Sequence, residues 1–404
     1  MKNLTKIGLG ILTSVGGYLE VGSIGTAIQA GAAFRFSLLW TIALGTICLA
    51  FLAEMTGRLA AVSHEPVVAA VRKRFGICVH VWPLATQVIV DLLVLASEIG
   101  GASLALELAT GLTVRVWVAP VALLVWALLW FATFGSIEHG VAVLGLVTLS
   151  FTVAAWRLHP DLSQLGRGLV PHRPPHDAAQ YGYLAVAILG ATISPYLFSF
   201  YSSGAVEEKW SVKDLMPNRV VAAAGMMFGG LVAMSVIVVA ATVLAPRGIN
   251  GDSYQQAATM MSLPFGRWGF WLFCASLFIG CVGAALELAL DVSYIVGQTF
   301  GWEWSEDQPP AEEARFALGY TFAIALGTIP SLLGLDPLAF TMFSMAVTVV
   351  ALPILVAPLL VVMNDERHLR AYTNGWITNI AVIAIVALAF VLAVVAIPLQ
   401  ILGG

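Results

Sequence analysis

Charge is what this sequence has least of. Asp, Glu, Lys and Arg make up only 10% of its 404 residues, against roughly 25% in an ordinary soluble domain. A chain this long with so few charges lacks the polar surface that water demands, which excludes a soluble globular protein. The net charge is −4 and no long Lys/Arg block occurs, so nothing supports nucleic-acid binding. The four cysteines, Cys48, Cys78, Cys274 and Cys281, include no CxxC pair and sit in or beside apolar stretches. They read as small buried apolar residues, not as disulfides or metal ligands. HExxH, GxSxG and a paired-aspartate motif are absent, as is any evident selectivity filter. An enzyme, a resident cofactor and a channel are therefore not expected.

What is present is apolar length. The chain is 59% hydrophobic, with a mean hydropathy of +0.91. About 20 apolar residues cross the hydrocarbon core, and stretches of that size recur throughout. Spans are predicted near 7–31, 36–57, 79–109, 114–134, 136–157, 181–204, 218–245, 267–299, 315–335, 337–363 and 374–398. The whole of 1–404 reads as one transmembrane domain of about eleven helices, all-α and polytopic. Met1–Ala30 opens with two lysines and an apolar run, but it is too long for a signal peptide and no A-x-A-like site follows, so it reads as the first span. Connections are short except 158–180, rich in proline, and 246–266, which has room for a short surface helix. With the N-terminus cytoplasmic, twelve of the 19 Lys and Arg residues fall inside, including Arg72-Lys73-Arg74. An odd number of spans then leaves the C-terminus outside.

Two spans are poor helices. The first carries Gly16-Gly17-Tyr18-Leu19-Glu20-Val21-Gly22-Ser23-Ile24-Gly25. Each interior Gly costs about 1 kcal/mol relative to Ala, and a charge at mid-bilayer costs about 2.5–3.5 kcal/mol. The sixth carries Gly190-Ala191-Thr192-Ile193-Ser194-Pro195-Tyr196, where proline removes a backbone donor and clashes with the preceding turn. Unpaired backbone at that depth is tolerated where it lines a cavity or binds something. The two spans open consecutive five-helix sets, 7–157 and 181–363, with 374–398 as an extra helix. Interruptions at corresponding positions point to a transporter with inverted repeats and a midplane site; close helix packing at small residues is the plainer alternative.

At these residues the chain resembles the Nramp family of proton-coupled divalent-metal transporters. The family's AYLDPGNIATDLQAGAQFGYSLLW corresponds to GYLEVGSIGTAIQAGAAFRFSLLW over Gly17–Trp40, and its GATVMPHN to Gly190–Leu197. Further similarity runs from Leu352-Pro353 to Asn374-Gly375. The resemblance implies a LeuT-like 5+5 inverted repeat plus one extra helix, in a prokaryotic inner membrane. By the same resemblance, Glu20, Ser23, Ser194 and the Ala191 carbonyl occupy the metal-ligand positions, with Gly22 and Tyr196 beside them as substrate-binding residues. The departures fall on those positions: Glu20 replaces Asp, Ser23 replaces Asn, Ser194 replaces Met, and Tyr196 and Tyr201 replace histidines. Loss of the thioether leaves an all-oxygen set that suits a hard cation such as Mg²⁺, or Mn²⁺. A small organic acid, amino acid or bicarbonate on the same fold is the competing expectation, because one carboxylate under-neutralises a divalent ion.

Glu98 matches a family carboxylate on the proton route, while Leu95 holds the family's nearby Asp position. Asp91 lies seven residues before Glu98, hence on the same helix face, and Glu287 and Asp291 share a face at i, i+4. Glu98, Asp91 and Glu287 are the candidates for proton coupling; neutral, hydrogen-bonded helix contacts are the alternative for each. The expected partners are a small ion or solute, protons and the lipid bilayer, with no nucleic acid. His159, His172 and His176 read as residues of a solvated loop. Tyr18, Tyr196 and Tyr201 either line the cavity or pack.

Overall fold

The structure is a computed structural model that describes residues 18–132, 140, 143–172, 174, 176–305 and 310–401. The first half of the opening span and the start of the fifth lie outside the described residues. The principal helices are α1 (Val21–Phe34), α2 (Leu39–Ser63), α3 (Val67–Phe75), α4 (Ile77–Thr110), α5 (Val114–Phe131), α6 (Leu149–Arg157) and α7 (Ala178–Thr192). They continue with α8 (Pro195–Glu207), α9 (Leu215–Val243), α10 (Arg267–Phe300), α11 (Ala314–Leu332), α12 (Pro337–Met363) and α13 (Trp376–Ile401). Among the described residues, eight helices are long and apolar enough to cross a membrane, with α7 and α8 counted as one span.

Local chemistry explains the boundaries. Asp177 and Asp336 cap α7 and α12, accepting the Gln180 and Ala339 N–H groups at 2.9 and 2.8 Å, and Pro337 occupies the first turn of α12. Gly111 and Gly301 end α4 and α10 in the left-handed region, which glycine enters at no steric cost. The helix α3 stood unread in the expected connection between the second and third spans. It is short and polar at its end, with Arg72, Lys73 and Arg74 in its last turn. A hydropathy window passes over such a segment.

The two 34-residue helices α4 and α10 pack along each other at the centre, with α11 and α12 against α4 and with α9 against α1 and α2. The broken span Ala178–Glu207 is the most enclosed, 83% of its apolar window being buried, whereas α5 and α13 bury 28% and 33%. Those outer helices turn Phe131, Ile380 and Ile383 outward, as lipid-facing helices do. Cys48, Cys274 and Cys281 are buried as expected; Cys78, at the start of α4, is exposed.

Candidate functional site

Both expected interruptions are present. Tyr18 is helical, Leu19 and Glu20 are not, and α1 restarts at Val21 with Glu20 in an extended conformation (φ −95°, ψ 174°). In the sixth span α7 ends at Thr192, and Ile193 and Ser194 separate it from Pro195, the first residue of α8. A helix carbonyl pairs with the N–H four residues on. Pro195 has none, so the Ala191 carbonyl has no helical donor.

The breaks meet. The Tyr196 hydroxyl, on the first turn of α8, donates to Glu20 Oε2 at 3.0 Å. Glu20 is 1% exposed and Ser194 0%. Glu20 Oε1 and Ser194 Oγ find no hydrogen-bond partner among the described residues. Two unpartnered oxygens sealed from water each cost on the order of 1–3 kcal/mol, so their meeting here calls for a functional account. The Ser23 hydroxyl donates to the Tyr18 carbonyl at 3.1 Å, while its lone pairs remain available.

Neighbouring helices hold the breaks open. Glu20 does not cap α1; Glu98 of α4 does so instead, accepting the Val21 N–H at 3.1 Å, where a carboxylate is stabilised by the helix dipole. Tyr254, from the 246–266 segment, donates to the Val21 carbonyl at 3.2 Å. Gly280 of α10 lies against the Leu19 carbonyl and Gly190 against the Met345 carbonyl, and a Cβ at either would collide with that oxygen. The Met345 side chain, fully buried on α12, fills the space beside Gly22.

The remaining candidates divide. Asp91 is fully buried but stands apart from the breaks, facing Asp291. Glu287 is only half-buried and lies one turn before Asp291. Tyr18 packs on α2, its hydroxyl 2.6 Å from Thr46 Oγ1, and also meets Thr192, the last residue of α7, which puts it beside the breaks; Tyr201 is engaged with Asn218, donating to its Oδ1 at 2.9 Å. His172 and His176 line an open surface pocket with Arg35 and Arg167. None of Glu20, Asp91, Glu98, Glu287 and Asp291 is in an ion pair among the described residues. No three His, Cys, Asp or Glu side chains form a ready metal cage there either. Met345, Tyr254 and Asp291 went unread as site residues. Asp291 carried a signal as a carboxylate inside a span; the other two carried none, because their roles depend on contacts between distant segments.

Comparison with known proteins agrees with this geometry. The Nramp family profile, "Natural resistance-associated macrophage protein-like", matches residues 10–398. The chain belongs to the Nramp family. Divalent metal cation transporters named MntH from Deinococcus radiodurans and Aeromonas hydrophila are 26% and 25% identical to it. Each alignment covers 95% of this chain, with 88% and 93% of the respective relative. A manganese transporter from Eremococcus coleocola superposes with a TM-score of 0.77 at 18% identity, covering 99% of this chain and 87% of that one. The amino-acid-bound transporter MhsT matches at 0.60 and 16%, covering 96% and 97%. These likenesses establish the LeuT-like fold of this Nramp member, an integral membrane protein of a transporter family.

Proposed function

We propose that this Nramp member carries a divalent cation across the membrane by alternating access, with the ion held between the two breaks. Glu20 supplies the negative charge, Ser23 and Ser194 supply hydroxyl oxygens, and the Ala191 carbonyl supplies the backbone ligand; Gly22 and Tyr196 complete the walls. The observation that carries this reading is the pair of sealed, unpartnered oxygens, Glu20 Oε1 and Ser194 Oγ, one on each break. A single carboxylate among neutral oxygens fits a hard ion that keeps part of its water, Mg²⁺ or Mn²⁺. Glu98 and Glu287 are within electrostatic reach of Glu20, and Asp91 lies farther along α4; these three are the proposed coupling groups. The N-terminus is placed in the cytoplasm of a bacterial cell and the C-terminus outside.

The relatives support the cation reading, since MntH proteins are named divalent metal cation transporters. An organic acid is the rival cargo, drawn to the N-terminus of a half-helix. At α1 that seat is already taken by Glu98, which favours the cation. The test is uptake of Mn²⁺ and Mg²⁺ into proteoliposomes. Wild type should exceed empty vesicles for at least one ion, and Glu20→Ala should lower uptake roughly tenfold or more, the equivalent of about 1.4 kcal/mol. Wild-type uptake equal to that of empty vesicles for both ions rejects the reading.

A further inference from the structure

Below the breaks, three helices bring a second polar group together. Asp291 of α10 is 0% exposed and accepts the Ser199 hydroxyl of α8 at 2.8 and 2.7 Å from its two oxygens. It also accepts Gln87 Nε2 of α4 at 2.9 Å. Asp91, one helical turn beyond Gln87, is likewise 0% exposed and faces Asp291, yet neither of its oxygens meets an N–H or O–H donor among the described residues. Two ionised carboxylates in contact, without Lys or Arg, repel strongly in so dry a place. One proton on Asp91, donated to Asp291, removes the repulsion and gives Asp91 its missing bond.

We propose that Asp91 and Asp291 share a single exchangeable proton and form a proton-binding site of their own, separate from the cargo pocket. The donors decide which residue carries it. Asp291, already holding a hydroxyl and an amide, stays the acceptor; Asp91, with no donor, is the carrier. Asp91 lies about 10 Å along α4 from Glu98, at 1.5 Å per residue. A cavity of about 30 Å³ touches both of Asp291's donors, Gln87 and Ser199, and is bounded on the far side by His80 and by Val67 and Val71 of α3. That is room for one water beside the donors of Asp291.

The other ionisable groups around the pair are few. Glu287 is one turn away on α10, and His80, bonded to Thr299 at 2.9 Å, stands at the far side of the cavity with Arg72 nearby. On α8, Tyr196 is engaged with Glu20 and Tyr201 with Asn218, while Glu207, two turns or more past Ser199, accepts the hydroxyl of Tyr294, one turn past Asp291 on α10. Tyr320 and Arg315 are the ionisable residues of α11, and α12 has none. Ser199 sits one turn past the break, so on the alternating-access reading any swing of α8 strips Asp291 of its hydroxyl donor and alters its hold on the proton.

Infrared spectroscopy of the full chain in lipid nanodiscs, needing no cargo, tests the pair. At neutral pH the carbonyl bands of protonated carboxylic acids in the wild type should include one, sensitive to D₂O, that belongs to the pair. That band should be lost in Asp91→Asn, change frequency in Ser199→Ala and persist in the surface control Glu366→Gln. If Asp91→Asn fails to fold, Asp291→Asn should alter the same band. The proposal is overturned if the variants change only ionised-carboxylate bands, or if Na⁺ or Mg²⁺ alone abolishes the wild-type band, which would make the pair a metal-cation site. A chain that moves neither Mn²⁺ nor Mg²⁺ can still pass, so failure of the transport reading is seen separately.

Discussion

At the residue scale, the identity of the ligand atoms sets which ion the pocket prefers. Ser194 stands where the family carries methionine, which at first removes sulfur from the site. A buried thioether stands nearby on another helix, since Met345 of α12 packs against Gly22 with no exposure, two residues from Glu20. Sulfur favours transition metals over Mg²⁺, so on the proposed cation reading Met345 would tilt an otherwise hard oxygen set toward Mn²⁺. Met345→Leu keeps the volume nearly constant and should cost less than about 1.5 kcal/mol of stability. Competition uptake should then show the preference for Mn²⁺ over Mg²⁺ falling several-fold. An unchanged ratio would leave Met345 as packing alone.

At the scale of elements, the breaks depend on backbone donors that are missing or diverted. Pro195→Ala supplies an N–H that can close on the Ala191 carbonyl and lets α7 run into α8 as one helix. The variant should melt no lower than wild type while its uptake falls about tenfold, because the carbonyl ligand is then occupied. A stable variant with full uptake would remove Ala191 from the site. The two breaks were legible in the chain itself, because four glycines around a carboxylate and a proline within a span contradict the local demand for helix. Span positions were legible for the same kind of reason, apolar length being a local property. The partners that hold the breaks were not. Tyr254 reaches Val21 and Gly280 reaches Leu19 across more than 200 residues, and the pairing of Asp91 with Asp291 depends on how α4 and α10 are rotated against each other. Periodicity in one segment carries no record of such contacts. The helix α3 escaped notice for a different reason, since it buries Val67, Val68, Ala70 and Val71 on one face but is too short and too basic to read as a span.

At the scale of the whole molecule, the buried meeting of the two breaks is accompanied by an asymmetry of charge. Every ion pair among the described residues, linking Arg58, Arg219, Lys73, Arg74 and His368 to Glu54, Glu65 and Asp365, lies at the end that the basic residues of the sequence lead one to expect in the cytoplasm. Arg58 joins α2 to the segment leading into α13 through the Tyr372 carbonyl and, at 2.7 Å, Asn374 Oδ1. Arg74, at the end of α3, holds Asp365, just past α12, at 2.8 Å. On the proposed alternating-access reading, opening toward that face would separate these elements, and the contacts would act as a latch on the closed form. Asp365 makes the latch sensitive to acid. The Arg367 N–H that it accepts at 2.9 Å, together with Arg74 and His368, holds its carboxyl below the usual range. A carboxyl depressed in the folded state adds stability above its unfolded value, and that contribution is lost as pH falls through the folded one. Wild-type melting temperature should therefore drop on acidification through that interval. Asp365→Asn should melt lower than wild type at neutral pH and approach it in acid, as the wild type loses the same charge. Melting curves that stay parallel across the whole range would remove Asp365 from the latch and leave the Arg58 network to hold that end.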